Sequence, residues 1–394
     1  MMTALLADPL SEVVAAAEQL LTRRTGAPVT LVDPVDLGGS GRTVVLRVRV
    51  AENPFSLPRT LVIKQVRDNF QGATKTAIAL PAASEGDFDV ETAFLREAVS
   101  YQFANALAKD ARPGAELLAS DLDARLLILS DLGDATAISV RLEDSDPDTV
   151  TYTLMAMAQA MGRMHAATVG REDDFTALLR RAEVAHCSDE VADQVGRAVA
   201  GVPAMLVESL GIDVSSDILE QVQHAQTLFS GGRFRAFSPS DLCPDNIIVN
   251  DDGVQFLDYE WGGYRDALLD ITYALVSFPG CLCNIDLTEE RASAMVDAWR
   301  AEVVGMWPAL ADEAELGRRI VEAQLIWVWL STYLYLPEDH SRIAAVREHY
   351  LSIPRADALV GRWARLARSA QLAGNAAVEA HARDVVAALR TEFS

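Results

Sequence analysis

The sequence predicts an α+β chain of two unequal lobes: a small N-terminal lobe on an antiparallel sheet and a larger, mainly helical C-terminal one. Three observations carry this expectation. Residues 11–130 run helix, strands, one helix, strands, the order of a mixed lobe around antiparallel strands. From residue 133 the apolar spacing turns helical, and most of 265–394 is rich in Ala, Leu and Arg. One β-rich stretch, 237–262, interrupts that helical half. The expected division is 1–132 and 133–394.

In chain order, 11–24 reads as an amphipathic helix, with Ser11 as N-cap and Val13, Val14, Ala17, Leu20 and Leu21 at helical spacing. Residues 43–50 alternate as a strand with Leu46, Val48 and Val50 on one face and Arg47 and Arg49 on the other. Residues 60–66 form a second β-rich run with Val62, Lys64 and Val66 on one face. The Gly-, Ala- and Ser-rich stretch 68–90 reads as a loop, 91–108 as a helix, and LLAS at 117–120 and ARLLILS at 124–130 as two strands. In the helical half, 148–168 carries Leu154, Met157, Met161 and Met164 along one stripe.

The 394 residues are 50% hydrophobic and 23% charged, the composition of a folded chain rather than a disordered one. The net charge of −23 repels polyphosphate backbones and anionic lipid, so neither a nucleic-acid nor a membrane partner is expected. Cysteines 187, 243, 281 and 283 read as free thiols, with no metal partner near Cys281 and Cys283. The N-terminal MMTALLADPLSEVV carries Asp8 and Glu12 where a signal peptide needs a basic start, and no run of about 18 apolar residues occurs. The expected location is the cytoplasm; the sequence sets no oligomeric state.

Chemistry concentrates in Asp241-Leu-Cys-Pro-Asp-Asn246, the β runs 247–250 and 254–257, and Asp258-Tyr-Glu260. With Asp251-Asp252-Gly253 as a three-residue connection, the expected register sets Asn250 against Val254 and Ile247 against Leu257. Asn246 then faces Asp258, within about 5 Å backbone to backbone. An amide oxygen and a carboxylate without His or Cys suit Mg²⁺, which takes few protein ligands plus phosphate and water. The third group, Asp241, can orient a hydroxyl and accept its proton, as in phosphoryl transfer.

These motifs resemble the catalytic loop and metal-binding motif of the aminoglycoside phosphotransferase and choline kinase-like family. The resemblance implies a protein-kinase-like fold with the phosphate donor ATP, or GTP, and Mg²⁺ between the lobes. It also implies a small-molecule hydroxyl acceptor, cationic in an aminoglycoside, choline or amino alcohol. Asp241 matches the family's base, and Asn246 and Asp258 its metal ligands. Lys64 matches the phosphate-binding lysine, and Glu97, with Glu91 as the fallback, the carboxylate that holds it. Gly39, Ser40 and Gly41, in Leu37-Gly-Gly-Ser-Gly-Arg-Thr43, match a flap over the phosphates, although a plain glycine turn reads the same way. Ser130, Asp131 and Leu132 match the hinge that meets the adenine edge. Asp266 and Asp270 match an acidic helix start, read here as capping and dipole compensation.

The sequence departs from the family pattern where His-Gly usually precedes the catalytic aspartate: it has Pro239-Ser240. The departure keeps an inactive nucleotide-binding regulator as the alternative to a kinase, and a metal-dependent phosphohydrolase stands third. His165, near a helix end, reads as structural, and Trp327, Trp329, Tyr333 and Tyr335 as helix core rather than an aromatic wall for an amine. No H-E-x-x-H or G-x-S-x-G occurs.

Overall fold

The computed structural model describes residues 9–39, 43–51, 57–67, 90–184, 190–279, 285–336 and 353–393. Cys187, Cys281 and Cys283, the loop 68–89, and Ser40 and Gly41 of the expected flap lie outside the described residues.

Helix α1 (Pro9–Thr25) begins two residues before the expected start. A proline at a helix start gives up an N–H that would have no partner there, so Ser11 falls inside the first turn instead of capping it. Val13, Ala17 and Leu21 pack against Leu46, Val48, Leu61 and Ile63 of a five-stranded sheet and form a separate small core. The strands are β1 (Leu31–Gly38), β2 (Thr43–Val50), β3 (Thr60–Val66), β4 (Leu117–Asp121) and β5 (Leu126–Ser130). Their order is β1-β2-β3-β5-β4, and every neighbouring pair is antiparallel.

The pleat of β3 does the positioning. Leu61 and Ile63 belong to the α1 side, whereas Val66 on the other face joins Phe94, Ala98 and Tyr101 of α2 (Val90–Ala104) in the large core. Lys64 shares the face of Val66, opposite Val45 of β2 and Leu127 of β5.

The helical half comprises α3 (Ile138–Leu142), α4 (Pro147–Thr168), α5 (Glu172–Arg181), α6 (Glu190–Leu210), α7 (Ser216–Gln226), α8 (Leu268–Ser277), α9 (Glu289–Val303), α10 (Glu313–Tyr335), α11 (Arg355–Ala373) and α12 (Ala376–Glu392). Asp146 caps α4 by accepting from the Asp148 and Thr149 N–H groups, and the Leu154, Met157, Met161 and Met164 stripe is buried. Gly162 lets α4 approach α9: a Cβ there would sit 2.8 Å from Glu302 Cβ and 3.0 Å from the Trp299 carbonyl. Trp327 and Trp329 are buried in α10, Trp329 against Trp363, as core residues.

The β-rich interruption forms two small units. Strand β7 (Arg235–Ser238) pairs with β10 (Gly263–Asp266), and β6 (Thr136–Ala137), β8 (Ile247–Asn250) and β9 (Gly253–Phe256) form a three-stranded sheet. The hairpin register differs by one residue from the expected one: Asn250 pairs with Gly253, Val249 with Val254 and Ile247 with Phe256. The cause is the Asn250 side chain, whose Oδ1 accepts from the Asp252 N–H at 3.0 Å and closes a two-residue turn. Gly253, at φ 104°, starts the return strand instead of ending the loop. Asn246 therefore faces Leu257, whose N–H donates to its carbonyl at 2.8 Å, and not Asp258.

Candidate active site

Lys64 Nζ lies 2.7 Å from Glu97 Oε1 and 2.5 Å from Asp258 Oδ1, joining β3, α2 and the segment after β9. Lys64 and Glu97 are buried and paired, while Glu91 is exposed. Burial alone would push the ammonium pKa down, but Asp258, Glu97 and Glu260 outweigh it and hold the pKa well above the usual lysine value. Lys64 is thus a buried, permanently charged cation between two carboxylates.

Asp258 adopts a left-handed backbone, φ 53°, just past the hairpin, and its side chain is 42% exposed. Asn246 ends a 3-10 turn over Pro244–Asn246; its Nδ2 leans on the Asp241 carbonyl at 3.5 Å, leaving Oδ1 as an acceptor. Asp241 is buried, and its Oδ1 lies 3.4 Å from the Cys243 N–H. The structure therefore brings Asp241, Asn246 and Asp258 to one end of the hairpin with Lys64 and Glu97, despite the shifted register.

Negative charge is crowded here. Burial pushes the Asp245 carboxyl up to about 7, helped by Asp241. Burial likewise pushes Glu260 up to about 8 against the pull of Lys64, with Asp258, Glu97 and Asp241 adding to the rise. Asp245 Oδ1 is buried without a hydrogen-bond partner. An acidic site of hard oxygen donors around one lysine fits a divalent cation. Among the described residues no three His, Cys, Asp or Glu side chains gather into a cage. Asn246 Oδ1 and Asp258 are oxygen donors of the kind Mg²⁺ takes alongside phosphate and water.

The loop before Asp241 is supported in a way the sequence did not disclose. Ser240 adopts φ 70°, left-handed backbone that a glycine would take without strain. Its N–H donates to Ser238 Oγ at 3.0 Å, and Ser238 Oγ donates to Asp270 Oδ1 at 2.7 Å. Asp270 Oδ2 lies 3.0 Å from His165 Nε2, and His165 Nδ1 accepts from Trp299 Nε1 at 3.0 Å. Because the indole can only donate, Nδ1 is the acceptor, and Nε2 carries the proton it gives to Asp270. His165 is structural as expected, but Asp270 is more than a helix cap: it ties α4 and α9 to the loop. Asp266 does act as a cap, accepting from the Leu268 and Phe234 N–H groups at 3.1 and 3.2 Å. A hydroxyl at 238 beside the missing His-Gly was the one sequence signal for this network.

Gly39 is required where it stands, since a Cβ would lie 2.1 Å from the Thr43 carbonyl oxygen. At the expected hinge, much of the polar capacity is already engaged. The Ser130 N–H donates to the Glu116 carbonyl at 2.8 Å, and the Leu132 carbonyl accepts from Asn250 Nδ2 at 2.7 Å. The Asp131 carboxylate pairs with Arg47 at 3.0 Å. Sequence reading also missed a contact beside Asp241: Cys243 Sγ meets the Tyr273 hydroxyl at 2.8 Å, and Tyr273 stacks edge-on to Trp327 with centroids 5.2 Å apart.

No protein-family model matches the sequence, and no curated protein matches it. Solved structures do. A choline kinase from Cryptosporidium parvum Iowa II superposes with a TM-score of 0.51 at 8% identity, over 94% of this chain and 99% of that one. A choline/ethanolamine kinase family protein from Mesorhizobium loti gives 0.48 at 14% identity over 94% and 99%. An aminoglycoside phosphotransferase from Alicyclobacillus acidocaldarius gives 0.46 at 11% identity over 99% and 97%. The first of these likenesses establishes the two-lobed kinase-like fold expected from the sequence, with its small antiparallel lobe and larger helical part.

Proposed function

We propose that the chain is a phosphotransferase that moves the γ-phosphate of ATP, with GTP as the other candidate donor, to a hydroxyl of a small molecule. The observation that carries this reading is the buried Lys64 bridging Glu97 and Asp258, at the hairpin end that also holds Asp241 and Asn246. Residues 1–132 would supply the nucleotide side and 133–394 the acceptor side.

Lys64, fixed by Glu97, neutralises charge on the nucleotide phosphates, and Gly39 lets the β1–β2 turn approach them. Of the hinge residues Ser130, Asp131 and Leu132, only backbone groups without protein partners would meet the base. Asn246 Oδ1 and Asp258 would hold Mg²⁺, which supplies charge neutralisation at the phosphates. Asp241 orients the acceptor hydroxyl and takes its proton as the oxygen forms its bond to the γ-phosphorus and the bond to the β–γ bridging oxygen breaks. ADP leaves with the electrons of that bond. Placing these groups is most of the catalysis such a site can offer.

The test is a panel of amino alcohols, sugars and aminoglycosides with Mg²⁺-ATP, scored for phosphorylated product by mass spectrometry. Wild type should phosphorylate at least one member and Asp241→Ala should not. Full activity in Asp241→Ala would overturn the assignment of the base. A second reading, a nucleotide-binding regulator without catalysis, is favoured by Pro239 and by the left-handed Ser240 beside the base. It predicts Mg²⁺-dependent nucleotide binding with no product from any acceptor.

A further inference from the structure

Helices α9, α10 and α11 meet around a cavity of about 750 Å³, none of whose lining residues belongs to the candidate active site. Its floor is apolar: Leu287, Val296 and Leu316 are buried members of the large core, and Ile320 packs against them. Small residues hold it open. Ala292 of α9, Gly317 of α10, and Gly361 and Ala364 of α11 stand in its walls where longer side chains would fill it. A Cβ at Gly361 would meet no atom within 4 Å. The cavity opens to solvent past Gly361 and Leu372, a leucine that is 68% exposed. Protein interiors leave few voids larger than a water molecule, and this hollow has the size and the apolar lining of a small-molecule site.

Every acidic side chain of the lining already has a counter-charge. Glu289 pairs with Arg368, and Asp297 and Glu313 both pair with Arg300. Arg365 differs from them. It is half-buried in the cavity wall, its Nη2 donates to the Leu287 carbonyl at 2.6 Å, and among the described residues it forms no ion pair. Burial pushes its pKa below the usual arginine value, although Asp286 and Glu289 pull the other way. A guanidinium stays charged even so, and it gains most from an oxyanion that can reach it. Ser369, one turn further along the same face of α11, adds a hydroxyl to the same wall. An oxyanion entering the cavity would therefore meet a guanidinium and a hydroxyl together.

We propose that this cavity binds a small amphipathic carboxylate, with its apolar body on Leu287, Val296, Leu316 and Ile320 and its carboxylate on Arg365 and Ser369. The lining sets the ligand class. The floor takes an aliphatic chain or an aromatic ring, a cation is repelled by Arg365, and a neutral polar group offers the guanidinium no counter-charge. No residue of the Lys64–Asp258 centre lines the cavity, so the proposal stands whether or not the chain transfers phosphate.

The experiment is calorimetric titration of the full chain with octanoate and naphthoate, each compared with its neutral amide. The chains are wild type, Arg365→Met, Arg365→Lys, Gly361→Leu and Asp241→Ala. Wild type should bind at least one of the two acids saturably and its amide at least about tenfold more weakly, the effect of losing one charge-assisted pair. Arg365→Met should weaken the acid by a similar factor. Arg365→Lys, which keeps the charge but loses the fork, should fall between them. Gly361→Leu fills the cavity and should abolish binding. It should also raise Tm in the absence of ligand, since leucine is the better helix former, which separates a blocked site from a damaged fold. Asp241→Ala should bind as wild type does, which places the ligand outside the candidate active site. No binding of either acid to wild type overturns the proposal, as does equal affinity for acid and amide. Binding that survives Gly361→Leu, or that Asp241→Ala removes, overturns it as well.

Discussion

The two sides of the candidate active site hold their essential side chains by different physics. On the β3–α2 side, Lys64 is fixed by charge, between Glu97 and Asp258. On the other side, the loop ending in Asp241 is fixed by a relay from Ser240 through Ser238 and Asp270 to His165 and Trp299, with one charged member. A charge pair needs only residue types at suitable places in a strand and a helix. A hydroxyl relay depends on the geometry of four segments far apart in the chain. The first should therefore fail abruptly when one partner is removed, and the second by degrees.

The largest expected effect comes from the reacting group: Asp241→Ala should lower turnover on an identified acceptor by about 10²- to 10⁴-fold, with nucleotide affinity little changed. Next, Glu97→Ala leaves a buried lysine with one partner fewer and should cost about 3–5 kcal/mol in urea unfolding, the usual range for breaking a buried pair. Ser238→Ala strands Asp270 Oδ1 and the Ser240 N–H and should cost about 1–3 kcal/mol. It should lower kcat more than it raises KM, with Ser238→Thr restoring most of the loss. Equal costs for Glu97→Ala and Ser238→Ala would erase the contrast between the two sides. Smaller still, Ser240→Gly should gain about 1 kcal/mol by relieving the left-handed backbone.

A further effect is a pH slope outside the reacting groups. Burial holds the Asp266 carboxyl up to about 6, despite two backbone N–H donors. A carboxyl with a raised folded pKa binds more protons folded than unfolded, so its contribution to stability falls as pH rises from the ordinary carboxylate range through about 6. Asp266→Asn should remove that slope, so its stability relative to wild type should rise from pH 4 to pH 7.

Legibility in the sequence followed the same divide. Strands 43–50 and 60–66 were read to the residue because half-buried strands alternate strictly, and that alternation placed Lys64 on the inner face. The set Lys64, Glu97, Asp241, Asn246 and Asp258 was expected from the resemblance of its motifs, and the structure brings these side chains to one end of the hairpin. The hairpin register was not, because Asn250 closing the turn with its own side chain is a local hydrogen bond that counting residues does not reveal. The role of Asp270 was hidden because the same residue, at the same helix start, reads as a cap.

The central claim is that Lys64 and the hairpin end form one Mg²⁺-nucleotide site. Its most direct test is thermal unfolding of wild type and Asp258→Ala with ATP or GTP, each with and without Mg²⁺. At about 100 times its Kd, a bound nucleotide stabilises by about 2.7 kcal/mol, and the account predicts a Mg²⁺-dependent rise in Tm for wild type that Asp258→Ala abolishes. An absence of any shift in wild type with either nucleotide, or a Mg²⁺-dependent shift that Asp258→Ala retains in full, would contradict it.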